Sequence, residues 1–354
     1  VRAQTLAPVL DFDVRPWSSA TGLPQDFVTS LALDDEGFLW IGTYGGLARF
    51  DGDRFESFNL HTTPELSSHR ISQLFVARNG DLWIAPIEGA VTRRRGGRFE
   101  SFADAPWVPS RELHSIAEGD DGAIWFGGRD LTRFADGRFE RVAIELEDQE
   151  LVVAIRPLGR ELWLGTTHGV WSTRDGAPFT KRRLDVPGGV HAFESLGDEA
   201  VVVPADDEFL RLDAHGATTL LEAAEFREAR ALLRVEDGSF WRGTSRGLFV
   251  IRGVSAGGGA SSVPTWSRLP LQLERDGIHA LLRTPEGATW VAANAPPLTC
   301  MTPRESRFVS FPGRGGVDQI SSDLVSGVWA RSSVFRHGVD GPVAEPPAAF
   351  DLMQ

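Results

Sequence analysis

Apolar residues in this chain come in short runs that alternate with polar ones and stop at Gly, Asp or Asn, the period-two pattern of half-buried strands. Phe38-Leu39-Trp40-Ile41-Gly42, Asp81-Leu82-Trp83-Ile84-Ala85 and Ala123-Ile124-Trp125-Phe126-Gly127 are such runs, and they line up on their tryptophans. Trp40, Trp83, Trp125, Trp163, Trp241, Trp290 and Trp329 recur with Val201 in the same slot, 38 to 49 residues apart, which gives eight units of about 40 residues. The longest spacing holds the Gly/Ser-rich stretch 253–262, a loop insertion. Nine positions before each anchor stands Leu31, Leu74, Ile116, Ala154, Ala192, Leu232, Leu281 or Ile320, apolar or small as the buried face of an inner strand requires.

Turn chemistry separates the runs. Asp35-Glu36-Gly37, Arg78-Asn79-Gly80 and Asp120-Asp121-Gly122 precede the anchor strand, and Gly46, Gly89, Gly169 and Gly247 follow it by six positions. Asp51-Gly52, Gly96-Gly97 and Asp136-Gly137 lead into aromatic-bearing strands such as Phe55-Glu56-Ser57-Phe58. Four antiparallel strands per unit predict an all-β propeller of four-stranded blades, in which stacking buries faces that one blade alone leaves exposed. Eight anchors predict eight blades, with seven the alternative, in one domain across 1–354. The segment Phe12 to Trp17 precedes the first full unit and is expected to close the ring as an outermost strand. Residues Leu220 to Leu233, rich in Ala, Leu and Glu, are expected to form a short helix between blades.

Charge narrows the function classes. With 36 Lys and Arg against 49 Asp and Glu the net charge is −13, which argues against a nucleic-acid partner. The chain is 42% hydrophobic and 24% charged, a globular composition, and no apolar run is long enough to span a bilayer. A single cysteine, Cys300, leaves no disulfide framework and no CxxC motif, and the opening Val1 is expected to mark a processed or excised piece. The eight histidines form no HxH or HExxH pair, and GxSxG, P-loop and GxGxxG signatures are absent, so neither a metal nor a cofactor nor a catalytic residue is predicted. The repeating tryptophans read as inter-blade core, whereas Trp17, Trp107, Trp171 and Trp266 fall off the repeat and are the better candidates for exposed contacts.

Blade topology places two sets of loops around one mouth of the central channel. The loops leading into the inner strands carry His69, Arg70, His114, His191, Arg230, Asp276, His279 and Asp318; those joining second and third strands carry Tyr44, Arg129, His168 and Arg246. Together these predict a site for a small polar ligand or oligosaccharide.

Gly22-Leu23-Pro24, Val28, Leu31, Asp35-Glu36-Gly37-Phe38-Leu39-Trp40-Ile41-Gly42-Thr43, Gly46-Leu47, Phe50-Asp51-Gly52 and Phe55 resemble the two-component regulator propeller repeat. That resemblance implies the periplasmic sensor region of a bacterial receptor, a hybrid histidine kinase or diguanylate cyclase, several of which sense carbohydrates. It implies a homodimer in the full receptor, joined to the membrane only through segments outside this chain. The reading from residues and resemblance together is a non-enzymatic ligand sensor. A propeller glycan lyase or hydrolase, and a protein-binding scaffold, are the alternatives.

Overall fold

The computed structural model describes residues 12–303 except 107, 110–112, 185–188, 198–200, 206–207, 214–215, 227–228, 255–263 and 270–276; beyond 303 it describes the backbone of four short strands between 317 and 342. The chain divides into two compact units, Val1–Pro303 and Arg304–Gln354, where the repeat pattern alone predicts one domain.

In the first unit, six blades are each built from four consecutive antiparallel strands. The first blade shows the plan: Val28–Leu33, Leu39–Thr43, Gly46–Phe50 and Phe55–Phe58, with Ala32 opposite Trp40 and Trp40 opposite Arg49. The others occupy 71–101, 115–142, 152–184, 194–222 and 231–268. A seventh sheet is composite. Ala280–Arg283, Thr289–Ala292 and Leu298–Pro303 come from the end of the unit, and Phe12–Trp17 pairs antiparallel with Leu298–Pro303 from Trp17 opposite Leu298 to Phe12 opposite Pro303.

The eighth repeat forms its own four-stranded sheet, beginning Val317–Asp323 and Gly327–Ser332, and that sheet belongs to the second unit. An eight-bladed ring is therefore not formed. Within the first unit Phe12–Trp17 supplies the fourth strand of the seventh sheet, and Trp290 of that sheet packs directly against Leu39 and Ile41 of blade one.

The anchors Trp40, Trp83, Trp163, Trp241 and Trp290 pack forward onto the next blade. Trp40 clusters with Leu74, Leu82 and Ile84; Trp83 meets the rings of Phe126 and Phe134 at 5.4 and 4.9 Å; Trp163 clusters with Leu210 and Leu212; Trp241 with Val291 and Met301. Trp290 of the composite sheet packs against Leu39, Ile41 and Phe50 of blade one. These tryptophans are nearly inaccessible to solvent, as a repeating inter-blade core requires. Off the repeat, Trp17 and Trp171 are buried as well and are not exposed contacts; Trp266 is 37% exposed; Trp107 lies outside the described residues.

Two positions after the anchor a small residue is obligatory. A Cβ on Gly165 would stand 2.1 Å from the Val190 carbonyl oxygen, and one on Gly243 2.5 Å from Ile278 Cγ2, in each case the first residues of the following blade.

The helix expected over Leu220 to Leu233 is not present. Gly216–Glu222 is the outer strand of blade five, Ala231–Arg234 the inner strand of blade six, and only Ala224–Phe226 between them makes a single 3-10 turn. Pairing of Thr219 with Leu210 and Ala217 with Leu212 overrides the helical propensity of the Ala- and Glu-rich segment.

Candidate functional site

A cavity of about 500 Å³ opens at the end of the channel where the inner strands begin. Its walls come from seven sheets, and the repeat itself aims them. Counting back eleven residues from the anchor gives Thr29, Ser72, His114, Arg230 and His279, all of which line the cavity. In blade four the hairpin before the anchor is one residue shorter, Leu158 facing Glu161 across a two-residue turn, and Val153 takes the equivalent place.

This position serves two purposes. In blades one and two it carries a hydroxyl that staples neighbouring blades: Thr29 Oγ1 donates toward the carbonyls of Gly42 and Ile71 at 3.0 and 2.9 Å, and Ser72 Oγ toward those of Ala85 and Leu113 at 3.2 and 2.8 Å. In blades three, six and seven the same register carries His114, Arg230 and His279. Their backbones are tied to the second strands, with the N–H groups of His114, Arg230 and His279 donating to Gly127, Gly243 and Ala292.

An aromatic arc spans the composite sheet and blades one and two. Phe27 stacks on Tyr44 with ring centres 4.4 Å apart and meets His279 at a tilt with centres 5.1 Å apart, and the Arg70 guanidinium lies 4.6 Å over the Tyr44 ring. The Tyr44 N–H donates to the Phe27 carbonyl, and Gln25 Oε1 accepts from the Phe27 N–H, which fixes the loop that presents both rings. The His279 ring nitrogen Nε2 is 2.6 Å from Asn294 Oδ1, a hydrogen bond that fixes the ring's orientation. His191 completes the wall from blade five.

Of the twelve residues predicted from sequence, the cavity brings together Tyr44, Arg70, His114, His191, Arg230 and His279. His69 and Arg246 are exposed on loops beside the mouth and do not line it. Arg129 lines a separate open groove between blades three and four, of about 1290 Å³. Asp276 lies outside the described residues, and Asp318 falls on the first strand of the second unit. Phe27, Thr29, Ser72 and Gln73 were not singled out from the sequence. The fixed offset from the tryptophan would have found Thr29 and Ser72; nothing local marks Phe27 as the partner of Tyr44.

His168 does not line the mouth cavity and is grouped with Glu147 and Glu150, the ligating atoms of all three within 4.8 Å of one another. Both carboxylates there are already engaged. Glu150 is buried and accepts from Thr166 Oγ1, from Trp171 Nε1 at 3.0 Å and from the Glu147 N–H at 2.9 Å, while Lys181 Nζ sits 2.6 Å from Glu147 Oε1.

Residues 22–45 match the model of the two component regulator propeller, so the chain carries that repeat in its first blade. No curated protein matches the chain. Among solved structures, it is similar to the extracellular domain of a putative hybrid two component system of B. thetaiotaomicron, at 13% identity and a TM-score of 0.67 over 95% of this chain and 49% of that one. The chain thus spans about half of that neighbour. It is also similar to virginiamycin B lyase of Staphylococcus aureus bearing an inactivating substitution, with Quinupristin bound, at 14% identity and a TM-score of 0.66 over 82% of this chain and 99% of that one. Identities at this level establish a shared propeller fold. Among the described residues no helix is long and apolar enough to cross a membrane.

Proposed function

We propose that this chain is a ligand-sensing, extracytoplasmic region of a bacterial signal-transduction receptor, and that its first unit works as a seven-bladed ring holding a small polar ligand at the channel mouth. One observation carries the reading. Side chains from separate blades, Tyr44, Arg70, His114, His191, Arg230 and His279, converge on one cavity although they lie far apart in sequence. A structural role does not call for this convergence, because the tryptophan core and the Thr29 and Ser72 staples already join the blades.

The two-component regulator propeller repeat and the likeness to an extracellular domain of a hybrid two component system support a sensor. They also support extracytoplasmic placement; the periplasm, oligosaccharides among the ligands to test and a homodimer in the whole receptor are parts of the proposal. Signalling then follows from population shift: a ligand that spans several blades favours whichever receptor arrangement it binds more tightly. Binding without turnover is part of the proposal, and product analysis of the bound ligand tests it.

The test is thermal unfolding of the purified chain against a panel of mono- and oligosaccharides, followed by product analysis of each ligand that shifts the transition. A saturable rise in Tm with the ligand recovered intact, and lost in Tyr44→Ala and His279→Ala, is the expected result. Recovery of a cleaved or eliminated product would replace the sensor with an enzyme.

A further inference from the structure

We infer that the mouth cavity takes a small organic anion, its acidic group held by Arg70 and Arg230 and its flat or apolar part laid against the arc of Phe27, Tyr44 and His279. The inference rests on the reading of the mouth as a ligand site and adds the chemical class of the ligand.

The charge of the cavity runs against that of the protein. The chain has a net charge of −13, yet the described lining contains two arginines, three histidines and no Asp or Glu. Several arginines elsewhere in the molecule pair with carboxylates, half-buried Arg49 with Glu56 and Arg133 with Asp121, exposed Arg141 with Asp130 and Arg160 with Asp175. Arg70 and Arg230 are exposed and have no ion pair among the described residues, although acidic residues outnumber basic ones. Arg70 is nonetheless positioned. Its guanidinium carbon lies 4.6 Å over the Tyr44 ring, a cation–π contact that holds the group beside the cavity, and the N–H fork of a guanidinium suits a planar oxyanion.

Arg230 reaches the cavity from blade six and Arg70 from blade two, so the ligand is approached from two sides of the mouth. A volume of about 500 Å³ falls in the range of about 300 to 1,000 Å³ typical of small-molecule sites. The stacked rings add a surface for a sugar or aromatic face, which an inorganic ion does not use.

The full chain is titrated, at constant ionic strength, with D-glucuronate and citrate, with sulfate and phosphate as inorganic oxyanions, and with D-glucose as the neutral match of glucuronate. Thermal unfolding and calorimetry are the readouts. Saturable binding of an organic acid but not of glucose is expected, weakened about tenfold or more by Arg70→Ala or Arg230→Ala, the worth of one charge-assisted contact. Neither variant should change Tm without ligand, since both side chains are exposed. Binding of sulfate or phosphate alone, or an anion shift that persists in the double variant, means an adventitious ion only and overturns the proposal. Binding of glucose as tight as that of glucuronate, and lost in Tyr44→Ala, overturns the anion while leaving the mouth as a ligand site. No shift from any acid overturns the anion too; if neutral oligosaccharides are also silent, the ligand-site reading falls with it.

Discussion

Glu150 illustrates how single residues in this propeller are set by their surroundings. It is 2% exposed, and burial alone pushes its carboxyl upward. The Thr166 hydroxyl, the Glu147 backbone N–H, the Trp171 indole and the charge of Lys181 together outweigh burial and hold it below its ordinary value of 4.5. A lowered folded value means that the carboxylate stabilises the fold at pH above about 4.5, and that this contribution is lost as pH falls through the folded value. Glu150→Gln should therefore lower stability at neutral pH by about 1 to 3 kcal/mol, the cost of losing a charged acceptor for buried donors. The gap to the parent protein should narrow as pH drops below about 4.5, measured by urea unfolding across a pH series. Trp83, 1% exposed and stacked among Phe102, Phe126 and Phe134, is a larger lever. Trp83→Ala should cost about 3 to 5 kcal/mol with or without ligand, while exposed His114→Ala should leave Tm almost unchanged.

Among elements, the contact that matters most lies between the second strand of one blade and the start of the next. The Cβ of Gly165→Ala would meet the Val190 carbonyl oxygen, a backbone atom that cannot swing aside. This substitution should destabilise by more than about 1 kcal/mol, the ordinary size of a single substitution effect, in equilibrium denaturation. Thr29→Val keeps the shape but removes the staple to Gly42 and Ile71, and should cost about 1 kcal/mol in the same measurement.

Strands and turns of this kind were legible in the sequence because they are local. Alternation, the anchor tryptophan and a turn glycine such as Gly37, at φ 85°, all act within ten residues of one another. The errors came where one element answered to another. Ala154, chosen by counting nine back from Trp163, pairs with Gly165, whereas Ile155 opposite Leu164 matches Leu31 opposite Ile41 in blade one, because the blade-four hairpin is one residue shorter. The segment 220–233 has helical composition but lies between two strands whose partners are already in place. At the mouth, position was readable and side-chain direction was not. Arg70 and His69 are adjacent in sequence, yet only Arg70 turns onto Tyr44 and into the cavity.

For the molecule as a whole, repeat counting could not decide how many blades make the ring, since that depends on which strand takes the last free edge. Phe12–Trp17 takes it, and its pairing with Leu298–Pro303 joins the two ends of the first unit. The same strand brings Trp17 against Phe50 and Phe55 of blade one, at 5.0 and 5.5 Å, beside Trp290. The strand is thus both a hydrogen-bonded edge and a piece of core. Removing residues 1–17 should strip both at once, leaving the edge of Leu298–Pro303 open to pair with another chain. The truncated protein should melt at lower temperature than the parent and self-associate on size-exclusion chromatography, and a synthetic peptide of Phe12–Trp17 should reverse both effects in proportion to its concentration. Trp266→Ala, on a partly exposed outer strand, serves as the control that changes an aromatic without touching the closure. An unchanged melting transition in the truncated chain would mean that the six contiguous blades and the three remaining strands of the seventh sheet hold together without Phe12–Trp17, and the mouth would then have to be rigid for reasons other than that pairing.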